Sequence, residues 1–139
     1  MSAPDEKQTR FLHDAMPFAR ALGIEALDSE PGEVRARVAW HADRCTSGGV
    51  LHGGVLMSLA DVCGGACAFV NLPEGAAGTT TIESKTNFFR AVRSGYVEAT
   101  ARPLHVGRTT IVIETDLFDS EGKRVARVTQ TQAVLQPQG

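Results

Sequence analysis

The chain lacks most of the features that mark a secreted or nucleic-acid-binding protein. Of its 139 residues only three are cysteine, at positions 45, 63 and 67, and we expect no signal peptide ahead of them. Because three cysteines cannot form a complete disulfide framework, we expect a reducing, cytoplasmic environment. The net charge of -2 provides no general positive field, so nucleic acid is not an expected partner.

Repeats, linkers and low-complexity tracts are also missing from the sequence. A chain of this length can bury one core, so we predict a single domain over residues 1–139, with about 1–8 disordered because they are polar. The longest apolar stretch, Val50 to Val70, contains His52, Asp61 and four glycines. A lipid-facing helix rarely carries such a set, so we predict a core helix and no membrane contact.

Two periodicities predict the secondary structure. Apolar residues recur at helical spacing between Thr9 and Leu22, and the stretch from Gly54 to Val70 is apolar on nearly every side of a helix. Alternation with period two predicts strands, at residues 34–40, 80–92, 96–105, 109–118 and 123–135. The short turns between the last four strands predict an antiparallel meander, with Pro103 at a bulge or an edge.

The order of these elements predicts an α+β fold. A helix that is apolar all round must be enclosed by other structure. We therefore expect an antiparallel curved sheet of five to six strands wrapped around the long central helix, with a short helix at the N-terminus.

Asp61 is the only charged side chain between Cys45 and Pro73. Its helix is otherwise apolar, so removing this carboxylate from water should cost free energy, and we expect the side chain to have a function that offsets the cost. The alternative is a structural role, in which Asp61 braces a neighbouring backbone group. The isolated carboxylate by itself leaves both roles open, and the neighbouring His52-Gly53-Gly54 sequence is what favours a catalytic role.

The run from Leu51 through His52-Gly53-Gly54 to Asp61 resembles the signature of hotdog-fold thioesterases, specifically the PaaI-like acyl-CoA thioesterases. Other segments agree with that family, namely Met16-Pro17-Phe18, Leu22-Gly23-Ile24, Asn87-Phe88-Phe89-Arg90 and Gly107-Arg108. The resemblance implies a hotdog fold and hydrolysis of an acyl- or aryl-CoA thioester to the free acid and coenzyme A. It also implies homodimers, or dimers of dimers, with active sites between subunits.

The spacing of His52 and Asp61 gives a separate reason to expect a dimer. Nine residues (61 minus 52) place the two side chains on opposite sides of a straight helix, roughly 13 Å apart along its axis. They cannot touch within one helix. If both serve one reacting centre, the Asp61 of one subunit must meet the helix N-terminus of another.

Each part of the motif has an expected role. Free N–H groups at the helix start, around Gly53 and Gly54, can stabilise the oxyanion of a thioester under attack, and the resemblance favours Gly53. Asp61 would activate water as a general base or attack the acyl carbon itself, and both routes stay open. His52 would orient the loop or donate a hydrogen bond to the thioester, with a purely structural histidine as the alternative.

Further candidates come from the resemblance and from the chemistry of coenzyme A. Relatives often carry a hydroxyl where the next strand starts, which Thr81 matches best, with Thr79 on the same face. Thr46 stands six residues before His52, where many relatives have an amide. Coenzyme A phosphates need cations and backbone donors. The candidates for that contact are Arg90, Arg93, His105, Gly107 and Arg108.

No metal and no cofactor are expected, since coenzyme A is part of the substrate. Cys63 and Cys67 lie four apart but have no matching ligands, so we predict that they are small core residues. Two other functions remain open: a hydratase or dehydratase acting on hydroxyacyl thioesters, and a non-catalytic acyl-CoA-binding module. The choice between aromatic and aliphatic acyl groups stays open as well.

Overall fold

The part of the chain that the structure describes forms two short helices, one long helix and six strands. In a computed structural model, which describes residues 3–138, the elements are α1 (Glu6–Ala15), α2 (Pro17–Leu22), β1 (Glu25–Glu30), β2 (Glu33–Ala39), α3 (Gly53–Val70), β3 (Gly78–Phe88), β4 (Tyr96–Val106), β5 (Thr110–Asp119) and β6 (Arg124–Leu135). Two 3₁₀ turns, Ala42–Arg44 and Ser47–Gly49, connect β2 to α3. Residues 1, 2 and 139 lie outside the described range.

The six strands form one antiparallel sheet in the order β1-β2-β4-β5-β6-β3, and α3 contacts every one of them. The core lies between this helix and the inward side chains of the strands, with Leu59 of α3, Ile113 of β5 and Val128 of β6 almost fully buried. By length and composition α3 could span a membrane. Its packing against the sheet accounts for its apolar character, so the predicted α+β architecture around a central helix is confirmed.

The predicted meander is wrong at one position, because β3 pairs with β6 and not with β4. Residues 89–95 do not turn back tightly but cross one end of the sheet. Along the way the Phe89 N–H donates to the Val125 carbonyl, the Leu51 N–H to the Val92 carbonyl and the Trp40 N–H to the Gly95 carbonyl, each at 2.8 Å. These bonds carry the chain from β6 to β2 and leave β3 at the sheet edge.

The N-terminal segment is more ordered than its polarity suggests. The Asp5 carboxylate accepts a hydrogen bond from the Gln8 N–H at 2.9 Å and caps α1, and the Asp5 N–H donates to Ala26 of β1. The predicted disorder is therefore wrong for residues 5–8. The single predicted helix is divided at Pro17, because the residue before a proline avoids helical geometry and proline favours the first helical position.

Two local predictions are confirmed. The pairing of β4 with β5 shifts register between Pro103 and His105, which is the expected bulge. Cys63 and Cys67 lie in the core, where the thiol of Cys63 donates to the Val34 carbonyl at 3.2 Å. Burial raises the pKa of Cys63, and it raises the pKa of Cys67 to about 11.

Candidate active site

The N-terminus of α3 is capped by the side chain of His52. Its Nδ1 accepts a hydrogen bond from the Gly54 N–H at 2.8 Å, while the His52 backbone is extended (φ -61°, ψ 135°). Because Nδ1 is an acceptor, the proton of the neutral ring sits on Nε2, and the side chain is exposed. The prediction that Gly54 offers its amide to the substrate is corrected, since that amide is already bound within the chain.

Gly53 supplies the remaining amide at the helix start. As the first residue of α3 its N–H has no intrahelical acceptor, and none of residues 3–138 accepts a hydrogen bond from it. The ring of Phe88, at the end of β3, lies so close that a Cβ at this position would be 3.3 Å from two ring carbons. Glycine allows the close approach of Phe88, whose ring would have to shift by a few tenths of an ångström beside an alanine. The free donor predicted at the helix start is the amide of Gly53.

Asp61 is exposed on the side of α3 that the sheet leaves uncovered, together with Met57 and Phe69. The expectation of a carboxylate in apolar surroundings within the chain is therefore wrong. The sheet covers only part of the helix circumference, and the single chain leaves the Asp61 side open. The carboxylate lies at a cleft of about 600 Å³, whose lining also includes Gly65, Ala66, Phe69, Thr79 and Thr81. The structure thus brings the predicted acid and both predicted hydroxyls to one cleft.

Two buried glutamines of β6 contact these residues and were missed in the sequence. Gln130 donates from Nε2 to Oδ1 of Asp61 at 3.1 Å, and Gln132 donates from Nε2 to Oγ1 of Thr81 at 2.8 Å. Both side chains are almost fully buried. Their position in the strand could have identified them, because Gln130 and Gln132 continue the every-second-residue series of Val128 and Val134 on the inward face of β6.

The candidate contacts for coenzyme A do not form one cluster in a single chain. Arg90 and Arg93 lie on the segment that crosses beside the start of α3, and Arg93 donates from Nη1 to the Gly48 carbonyl at 3.2 Å. His105, Gly107 and Arg108 lie at the β4–β5 turn, which the strand register places at the opposite end of the sheet.

Thr46 lies near the helix start. It is exposed on the loop before His52, which is closed by the bridge between Cys45 and Leu51 and by a 2.8 Å hydrogen bond from the Thr46 N–H to the Val50 carbonyl. The hydroxyl of Thr46 caps no backbone group of the following turn. Thr46 therefore remains a candidate for contact with substrate.

Comparison with known proteins identifies the family. Residues 48–126 match the model of the thioesterase superfamily. The proofreading thioesterase EntH of Klebsiella pneumoniae is 32% identical over 114 residues, which cover 82% of each chain. A thioesterase of Haemophilus influenzae superimposes with a TM-score of 0.86 at 27% identity, covering 98% of this chain and 93% of that one.

A second solved thioesterase, a mutant from Pseudomonas aeruginosa, superimposes with a TM-score of 0.85 at 28% identity over 96% of this chain and 95% of that one. The PaaI protein of Escherichia coli shares the fold, with a TM-score of 0.83 at 23% identity over 93% and 92% of the two chains. The chain therefore belongs to the thioesterase superfamily and has its hotdog fold, and thioester hydrolysis is its general class of activity.

Proposed function

We propose that the protein hydrolyses an acyl- or aryl-CoA thioester at a site shared between two subunits. The observation that carries the proposal is the carboxylate of Asp61, exposed at a cleft of about 600 Å³ on an otherwise uncharged helix. A cleft of this size is typical of small-molecule sites. Positioned carboxylates serve either as general bases or as nucleophiles in acyl transfer.

The separation of Asp61 from the Gly53 amide supports a shared site. The two residues are eight apart (61 minus 53) on a continuous helix, or roughly 12 Å along its axis. Within the described residues β3 ends the sheet, and most of its side chains are exposed, including Ile82 at 62%. Such an edge can pair with the same strand of a second copy. A two-fold axis through β3 would bring the start of one α3 towards the Asp61 of the other subunit.

The chemistry then follows from the groups at this junction. In the general-base route Asp61 takes a proton from water, whose oxygen bonds to the acyl carbon while the Gly53 N–H stabilises the oxyanion. The carbon–sulfur bond breaks as the tetrahedral intermediate collapses, and the departing thiolate takes the proton from Asp61. In the covalent route the Asp61 carboxylate attacks the acyl carbon and the thiolate of coenzyme A leaves, which gives a mixed anhydride. Water then hydrolyses the anhydride to the free acid and the Asp61 carboxylate, and the proton released passes to the thiolate. In both routes the Nε2–H of His52 would donate to the thioester.

The same pairing would bring together the arginines that are candidates for binding coenzyme A. Antiparallel β3 strands place opposite ends of the two sheets near one another, so Arg90 and Arg93 of one subunit would approach Arg108 of the other. Guanidinium groups bind phosphates through paired hydrogen bonds. We therefore place the phosphates of coenzyme A at the rim of the shared cleft.

A thiol-release assay on a panel of aromatic and aliphatic CoA thioesters tests the activity. We expect turnover by the unmodified protein and a loss of about 10²- to 10⁴-fold in Asp61→Asn. Full turnover by Asp61→Asn would exclude the mechanism. Binding of a thioester without thiol release would support the non-catalytic module, and addition of water to an enoyl thioester would support the hydratase.

Gly53→Pro tests the role of the amide. Proline fits the first position of a helix and the extended backbone of His52 suits the residue before it, so the substitution removes chiefly the N–H. Gly53→Ala is the matched control, because its Cβ meets the Phe88 ring in the same way but the amide remains. We expect kcat of the proline variant to fall about 10²- to 10³-fold below that of the alanine variant. Equal kcat values would exclude the Gly53 amide.

Mixing two inactive variants tests whether the site is shared. In a heterodimer of Asp61→Asn and Gly53→Pro chains, one of the two shared sites carries both substitutions and the other carries neither. Co-refolding at equal amounts should restore about a quarter of the wild-type activity, since half the dimers are mixed and half their sites intact. A site within one chain would keep one defect in every copy, and no activity would return.

A further inference from the structure

Gln130 lies beneath α3 in a space that only glycine leaves free. Its side chain is 1% exposed, and a Cβ built on Gly64 would overlap its Oε1 and approach its Cδ to 2.7 Å. A Cβ built on the neighbouring Gly65, in contrast, would have no atom within 4 Å outside its own stretch of helix. The absence of a side chain at Gly64 is therefore what admits the amide of Gln130 to the helix.

The amide of Gln130 has one polar partner among the described residues. Nε2 donates to Oδ1 of Asp61 at 3.1 Å, whereas Oε1 is buried without a hydrogen-bond partner in residues 3–138, as is Oγ1 of Thr115 nearby. The carboxylate fixes the orientation of the amide, because a flipped amide would direct Oε1 at a negative charge. A buried acceptor without a partner costs stability. Gln130 is therefore poorly explained by folding alone.

We propose that Gln130 is a positioning residue for Asp61: it holds Oδ1 of the carboxylate and so directs Oδ2 into the cleft, while Gly64 provides the space that this contact requires. The inference rests on the proposed function, in which Asp61 acts on the acyl carbon. A catalytic group held within a fraction of an ångström reacts faster than one that samples several rotamers. Gln130 acts through Asp61 and has no contact with substrate in this scheme.

The test replaces Gln130 with methionine, which has a similar shape and no donor. We expect kcat to fall about 10- to 100-fold, the effect of one hydrogen bond to a charged group, with KM changed less than about threefold. The melting temperature should not fall, because the unpaired Oε1 is removed as well. Wild-type kcat in this variant would overturn the proposal.

Val128→Ala is the matched control. Val128 lies on the same strand and face, two residues before Gln130, and is 1% exposed. We expect this variant to melt at a lower temperature because a cavity forms, yet to keep the wild-type kcat. A comparable loss of kcat in Val128→Ala would show that any disturbance of β6 suffices, and it would overturn the specific role of Gln130.

Gly64→Ala tests the space from the helix side. Alanine is the better helix former, so lost turnover in this variant cannot come from weaker helix propensity. We expect its Cβ to displace the Gln130 amide and to lower kcat about as much as Gln130→Met does. Wild-type kcat in Gly64→Ala would overturn the claim that the contact between Gln130 and Asp61 requires glycine at position 64.

A spectroscopic measurement separates this inference from the proposed function. In ¹⁵N-labelled protein the side-chain amide pair of Gln130, identified as the pair missing from Gln130→Met, should shift in Asp61→Asn. An unchanged resonance would overturn the contact. If Asp61→Asn keeps its turnover, the proposed function fails. If Asp61→Asn is inactive and Gln130→Met is fully active, the positioning role alone fails.

Discussion

The imidazole of His52 caps its own helix: Nδ1 accepts a hydrogen bond from the Gly54 N–H at 2.8 Å, and the intervening Gly53 N–H has no acceptor within residues 3–138. The contact joins the stability of α3 to the chemistry of its N-terminus. Substitutions at His52 can therefore change the stability of the helix, the turnover or both, and the two effects can be measured separately.

Comparing His52→Asn with His52→Ala separates capping from donation. Asparagine is a good N-cap, so we expect His52→Asn to keep the wild-type free energy of unfolding, whereas His52→Ala should lose about 1 kcal/mol. Both variants lack the Nε2–H, and kcat should fall roughly 10-fold in each. Urea unfolding and thiol release provide the two measurements. Full turnover by His52→Asn would restrict this residue to capping.

The exposed edge at β3 predicts that a charge there disrupts the proposed dimer. Ile82→Asp would place two like charges near the proposed two-fold axis, so we expect a species of 14.8 kDa by light scattering and a loss of thioesterase activity. Leu104→Asp is the control, because Leu104 is similarly exposed (59%) but lies at the bulge of β4, which β5 and β6 separate from β3. An intact dimer in Ile82→Asp would exclude pairing through β3.

The three thiols should differ sharply in reactivity. Burial raises the pKa of both Cys63 and Cys67, and the thiolate is the reactive form, whereas Cys45 is only half-buried. With Ellman's reagent at about pH 8 we expect one thiol per native chain to react promptly and the other two only after denaturation. Cys45→Ser should remove the fast phase. Three fast thiols would contradict the packing of α3.

The Asp116 carboxylate should make the protein less stable in acid. Partial burial raises the pKa of Asp116, but the hydrogen bonds and charges of Arg127 and Arg124 outweigh that effect, and the pKa lies below its ordinary value. The resulting stabilisation is complete above the unfolded pKa of about 3.9 and is lost as the pH falls through the lower folded value.

Urea unfolding of Asp116→Asn at several pH values measures this contribution. We expect the wild type to be more stable by at most about 1 kcal/mol at neutral pH, since the pair is partly exposed, and the difference should shrink below about pH 4. If the difference in stability stays constant between pH 7 and pH 3, packing and not charge accounts for it.

Local patterns were sufficient for the helix, for most strands and for the family, but not for relations between distant elements. The alternation in β2, β4, β5 and β6 follows burial closely. The position of β3 could not be predicted in this way, because Ser94-Gly95 has the sequence of an ordinary turn. Only the hydrogen bonds of residues 89–95 to the sheet show that the chain crosses to β2 there.

The site shows the same limit. Asp61 was found because it is alone in an apolar run, but its exposure depends on which side of α3 the sheet covers. Gln130 was missed because a glutamine in a strand normally faces solvent, and its contact with Asp61 spans 69 residues of sequence.

In the proposed dimer, the contact between Phe88 and Gly53 would link assembly to turnover. Phe88 ends the strand that would pair between subunits, and its ring rests on the residue whose amide would meet the oxyanion. A subunit that separates from its partner would thus lose the second chain's acid, and the strand that carries Phe88 would lose the strand it pairs with. Specific activity should therefore decline on dilution, in step with the dissociation of the dimer.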